Sequence, residues 1–201
     1  MSPVHHQSLT DAARRLRDAV MAAADDWRRG PEPRPRKVVR LDAPVSPVDP
    51  SAWLCGQVDD IRLLWSGKDE RRITAGIGAA DRIAGGEPAT PARILERCLR
   101  DLPDHEDARA YGGFSFQPDS ATDPAWRPFG PSCFWIPQVE LVRDDNGTRL
   151  ACNVLLDGEG TAGPESAARA LDALREPDPA RIPAPPCITG RVNHPDRELW
   201  G

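Results

Sequence analysis

The chain has 201 residues, enough for one domain with a sizeable core. Its net charge of −5 and pI of about 5.4 argue against nucleic acid or an anionic membrane as a partner. No apolar run approaches the ~20 residues of a membrane helix, and residues 1–10 lack the apolar core of a signal peptide.

The first predicted element is a helix from Ser8 to Arg29. Leu9, Ala12, Leu16, Ala19, Val20, Ala23 and Trp27 fall on one face. Ser8 supplies a cap, with Asp11 three residues on, and Gly30-Pro31 stops the helix. Arginines 14, 15, 17, 28 and 29 form a basic face. It reads either as an anion site or as a solvated face paired with Asp18, Asp25 and Asp26. Prolines at 31, 33, 35, 44, 47 and 50 predict extended connections around a short strand, 37–41. Residues 61–66 and 72–77 read as a hairpin about Gly67-Lys68. Thr90-Pro91 opens a helix over 91–100, with Ile94, Leu95, Cys98 and Leu99 apolar. A strand follows at 110–116, where Gly112-Gly113 marks a bulge or close backbone approach, with Gly113 the expected steric requirement.

The run Cys133 to Val142 alternates as one strand, with Pro137 at an edge or bulge. Asp145-Asn146-Gly147 predicts a tight turn into a strand at 149–156. A last helix covers 165–175, and residues 177–195 are proline-rich. The fold class expected is α+β, an antiparallel β-sheet flanked by helices. The expected divisions are an N-terminal helix (1–30), an α+β region (31–176) and a linker (177–201). Trp65, Phe114, Phe116, Trp135, Val139 and Leu141 are expected in the core.

Few residues suggest chemistry. Asp104-His105-Glu106-Asp107 offers carboxylates and an imidazole for a metal, but it follows Pro103 in a polar stretch, and the solvated loop is the stronger reading. His5-His6 lies at a terminus, and His194-Pro195-Asp196 reads as a turn or the start of a helix. Gly76-Ile77-Gly78 lacks the third glycine of a dinucleotide loop. Asn146-Gly147-Thr148 fits a glycosylation sequon that a cytoplasmic protein would not use. Ser115 and Ser132 have no histidine nearby in sequence. The five cysteines are scattered, odd in number and without CxxC spacing, which points to reduced thiols rather than a disulfide framework or zinc site.

Three segments carry a resemblance. They are Arg109-Ala110-Tyr111-Gly112-Gly113-Phe114-Ser115-Phe116, then Trp126-Arg127-Pro128-Phe129-Gly130, then Phe134-Trp135-Ile136-Pro137-Gln138-Val139-Glu140-Leu141. Their order resembles the N-terminal half of isochorismate synthases, chorismate-utilising enzymes of menaquinone and siderophore pathways. Asp49-Pro50, Trp53-Leu54, the Leu64–Asp69 segment and the Ala75–Ala80 segment resemble the same family, over roughly residues 38–201. Leu64 stands where the family has an aromatic residue, and Gln138 where arginine is common. Salicylate and other chorismate-utilising synthases share the fold.

The resemblance implies the N-terminal part of a two-sheet fold. It implies a complete enzyme in which Mg2+ holds the substrate, a lysine activates water and a glutamic acid protonates the departing hydroxyl. In the family those residues follow the stretch resembled here. Lys37-Val38-Val39-Arg40 only echoes the lysine segment. The resemblance therefore implies no catalytic, cofactor-binding or metal residue in this chain, and Mg2+ and chorismate bound only by the complete enzyme. The expected partner is a C-terminal catalytic half, in cis or trans. The other reading is a non-catalytic interaction module. If the chain had activity alone, Asp104, His105, Glu106 and Glu140 would be the residues to search.

Overall fold

The computed structural model describes residues 7–33, 36–69, 71–84, 91–102, 105–115, 129–157 and 162–177. Among the described residues, four helices and eight strands follow in order: α1 (Leu9–Arg29), β1 (Lys37–Val45), α2 (Pro50–Gly56), β2 (Arg62–Ser66), β3 (Ile73–Ile77), β4 (Asp81–Ala84), α3 (Pro91–Asp101), β5 (Tyr111–Phe114), β6 (Ser132–Ile136), β7 (Val139–Asp144), β8 (Gly147–Leu156) and α4 (Ala162–Asp172). A five-stranded sheet runs β1-β8-β7-β3-β2, and a three-stranded sheet runs β4-β6-β5. Every named pair is antiparallel, as the α+β expectation requires. Among the described residues, no helix is long and apolar enough to cross a membrane.

Local signals account for several elements. The Ser8 Oγ accepts from the Asp11 N–H at 3.1 Å and donates back to its carboxylate. Most of the basic face of α1 is paired: Arg14 with Asp11, Arg28 with Asp25, Arg29 with Asp26, and Arg17 with Asp18 and with Asp172 on α4. Asp49 caps α2 by accepting from the Ala52 N–H, with Pro50 in the first turn. This helix begins at Pro50, the last of the prolines read as an extended connection, and the sequence reading had not predicted it. Pro44 is accommodated in β1, an edge strand, so the strand runs four residues beyond the expected end.

The 133–142 run is two strands rather than one. β6 belongs to the small sheet and β7 to the large one, and the chain changes sheets at Pro137-Gln138. Pro137 has no N–H for a ladder, so pairing breaks there. Asn153 on β8 secures the crossing: its Nδ2 donates to the Pro137 carbonyl at 2.7 Å, and its N–H to the Gln138 carbonyl at 2.8 Å.

The main core lies between one face of the large sheet and α1, α2 and α4. Leu16, Val20, Trp53, Val139, Leu141, Leu150, Val154 and Leu171 are buried in it. Ile83, Ile94 and Cys98 form a second cluster with Phe114 and Phe134, whose rings meet edge-on at 5.1 Å. Trp135 is only half-buried, and Phe116 lies outside the described residues. Trp65 departs from expectation: it is 42% exposed, on the outermost strand of the sheet.

The steric glycine is Gly112, not Gly113. A Cβ on Gly112 would fall 2.0 Å from the Cys133 carbonyl oxygen, whereas one on Gly113 would meet nothing within 4 Å. The two glycines face opposite sides of the small sheet, and only at Gly112 does the β6 backbone approach close enough to occupy the space of a side chain.

Candidate functional site

Side chains alternate along strands, so each polar residue of the large sheet belongs to one face. The registers put Arg40 and Asp42 of β1, Arg149 and Asn153 of β8, Glu140 and Asp144 of β7, and Thr74 of β3 on the face opposite the helical core. This face is charged yet largely buried, and it is the strongest polar constellation among the described residues.

Two sub-clusters compose it. In the first, the Arg40 guanidinium is hydrogen-bonded to Glu140, and its Nη1 lies 3.3 Å from the Asn153 Oδ1. Burial pushes the Glu140 carboxyl up, and the Arg40 charge offsets only part of that shift. The Arg40 Nε and Glu140 Oε1 are buried with no hydrogen-bond partner among the described residues. Burial, followed by the nearby Glu140 charge, pushes the Tyr111 phenol up as well. Tyr111 lies against Trp65, with ring centroids 6.3 Å apart.

In the second, Asp107 accepts from Arg72 and, at 2.7 Å, from the Arg149 Nη2. Arg149 also reaches Asp144 at 2.9 Å. Burial alone would raise the Asp107 carboxyl. Arg72, with help from Arg149 and Arg40, outweighs it and holds the carboxyl below its ordinary range. The His105 Nδ1 accepts from the Asp107 N–H at 3.2 Å, which leaves the ring proton on Nε2, 3.4 Å from the Asp42 Oδ1.

Residues 105–107 therefore have a definite place. His105 and Asp107 close a loop onto the charged sheet face, while Asp104 lies outside the described residues. Among the described residues, no group of three or more His, Cys, Asp or Glu is arranged to hold a metal. Asp107 and Asp144 are turned to guanidiniums, which a Mg2+ site surrounded by oxygen ligands would exclude. Gly76 and Gly78 make no phosphate loop, because β3 leads into β4 rather than a helix. Instead Pro137 crosses over Gly76, where a Cβ would lie 2.9 Å from the proline ring. Asn146-Gly147 makes the β7–β8 turn, with φ of 115° at Gly147. Ser115 hydrogen-bonds through its N–H to the Pro131 carbonyl, and the Ser132 Oγ is buried. His5, His6 and His194 lie outside the described residues.

The sequence reading had not assigned a site role to Arg72, Arg149 or Asn153, and noted Arg40 only within the Lys37–Arg40 echo of the family's lysine segment. The signal available was a charged residue within an alternating apolar strand, as in Val38-Val39-Arg40-Leu41.

Comparison with known proteins adds two findings. Residues 23–198 match the family described as "Chorismate binding enzyme". The fold is similar to that of MenF, the menaquinone-specific isochorismate synthase from Escherichia coli, with a TM-score of 0.59 at 20% identity. That similarity covers 86% of this chain but 35% of the MenF chain, so the chain spans about a third of that structure's length.

Proposed function

Since the chain belongs to the chorismate-binding enzyme family, we propose that it is the non-catalytic scaffold half of an isochorismate synthase, which isomerises chorismate to isochorismate with Mg2+. The observation that carries this reading is the internal pairing of the buried charges. Chorismate is a dicarboxylate, and a site for it needs cations that are not already neutralised. Arg40 faces Glu140, and Arg72 and Arg149 face Asp107. Displacing the buried Glu140 would strand it uncompensated, at a cost of about 3–5 kcal/mol, and the half-buried Asp107 already occupies two guanidiniums.

On this reading the catalytic residues and the carboxylates for Mg2+ belong to a C-terminal half, joined in cis or supplied in trans. The charged face holds β1, β7, β8 and the 105–111 loop in position. Fragments of salicylate or other chorismate-utilising synthases are the alternative within the same family. The second reading, from a different class, is a non-catalytic interaction module or subunit that pairs with a separate catalytic chain. The buried thiols of Cys133 and Cys152 support a reducing, cytoplasmic setting.

The test is isochorismate formation by the purified chain with Mg2+, repeated with a complementing C-terminal half of an isochorismate synthase. The expected result is no turnover alone and turnover in the mixture. Turnover by the chain alone would overturn the scaffold reading, and the product of the mixture separates isochorismate from salicylate chemistry.

A further inference from the structure

The two sides of the five-stranded sheet end differently. On the β1 side, Pro44 interrupts the edge and Gln7 bridges to Val45. On the other side, β2 pairs with β3 alone among the described residues. Leu64 is 52% exposed and Val58, just before the strand, 77%. Ile61 and Trp65 are also exposed. An open edge with apolar side chains and no proline or bulge is a template for another strand.

The hydrogen bonds show which residues point outward. The Gly67 N–H donates to the Arg72 carbonyl, and the Gly78 N–H to the Ile61 carbonyl, each at 3.0 Å. Bonded pairs alternate in an antiparallel ladder. Leu63 and Trp65 therefore bond to β3, while Arg62, Leu64 and Ser66 turn their N–H and C=O groups to the open side.

We propose that β2 pairs antiparallel with β2 of a second copy of this chain, about a two-fold axis at Leu64. Leu64 then faces its own counterpart, in a pair that exchanges both main-chain bonds. Trp65 faces Leu63 of the second copy, and Arg62 faces Ser66. The same register brings Asp60 opposite Lys68 of the second copy. Both are exposed, and neither has an ion-pair partner among the described residues. An axis shifted to Arg62 would set Asp60 against Leu64, and one at Ser66 would set Leu64 against Lys68. Apolar matching and charge complementarity thus select the Leu64 register. A five-residue edge is a small interface, so the association is weak and concentration-dependent. It needs neither chorismate nor a catalytic partner, and stands apart from the functional reading.

The experiment is sedimentation of the 201-residue chain from low to high micromolar concentration. The mass is expected to rise from 22.0 kDa toward twice that value. Leu64→Pro removes an outward N–H without removing a bond to β3, and is expected to hold the chain monomeric with an unchanged far-UV circular dichroism spectrum. Because proline can impair folding, a charge series provides a second measure. Lys68→Asp should raise the dissociation constant about tenfold, and Asp60→Lys combined with Lys68→Asp should restore wild-type association. A wild-type chain that stays at 22.0 kDa throughout would overturn the proposal. So would a charge series that leaves association unchanged, or β2 amides protected from hydrogen exchange only after a catalytic half is added.

Discussion

Arg40 on β1 reaches across β8 to Glu140 on β7, and both side chains are at most 2% exposed. The two residues are 100 positions apart in sequence. Their pairing ties three adjacent strands together on the face of the sheet opposite the helices.

Removing one member leaves the other buried and uncompensated. Arg40→Met or Glu140→Leu alone should cost about 3–5 kcal/mol, while the double variant should cost less than either single. Urea unfolding of the four proteins measures this. Singles within about 0.5 kcal/mol of wild type would mean that the pair is solvated.

Asp107 predicts a specific acid sensitivity. Its carboxyl is held low by Arg72 and Arg149, so its contribution is present above the unfolded value of about 3.9. That contribution is lost as pH falls through the lower folded value. Asp107→Asn should cost about 1.5–3 kcal/mol at neutral pH, with the difference from wild type shrinking as pH falls below about 4. A difference that stays constant with pH would remove the charge from the explanation.

Gly112→Ala and Gly113→Ala should separate cleanly. The first forces a methyl onto the Cys133 carbonyl and should cost about 3 kcal/mol or more. The second places its methyl in open space and should cost no more than about 1 kcal/mol. Thermal melts compare the two, and equal losses would contradict the β5–β6 register.

The thiols should differ in reactivity. Burial pushes the Cys152 thiol up to about 12, whereas Cys55 is exposed. Iodoacetamide under native conditions should label Cys55, and Cys152 only after denaturant is added. Peptide mapping by mass spectrometry reads this directly, and native labelling of Cys152 would show that β8 opens locally.

The sequence alone determined what depends on near neighbours. The Ser8 cap, the β2–β3 hairpin, the Asn146-Gly147 turn and the family motif through Glu140-Leu141 rest on periods and turn residues within a few positions. Tertiary structure decided the rest. The run from Cys133 to Val142 has one unbroken alternation, and nothing local to it says that Pro137 hands the chain from one sheet to the other. That depends on Asn153, which reaches the crossing from β8. The choice between Gly112 and Gly113 depends on where the β6 backbone comes closest. Arg40 meets Glu140 only because the strand order places β8 between β1 and β7. A strand's period is written in its own residues; its neighbours, its register and the partner of each buried charge are set by contacts between segments far apart in the chain.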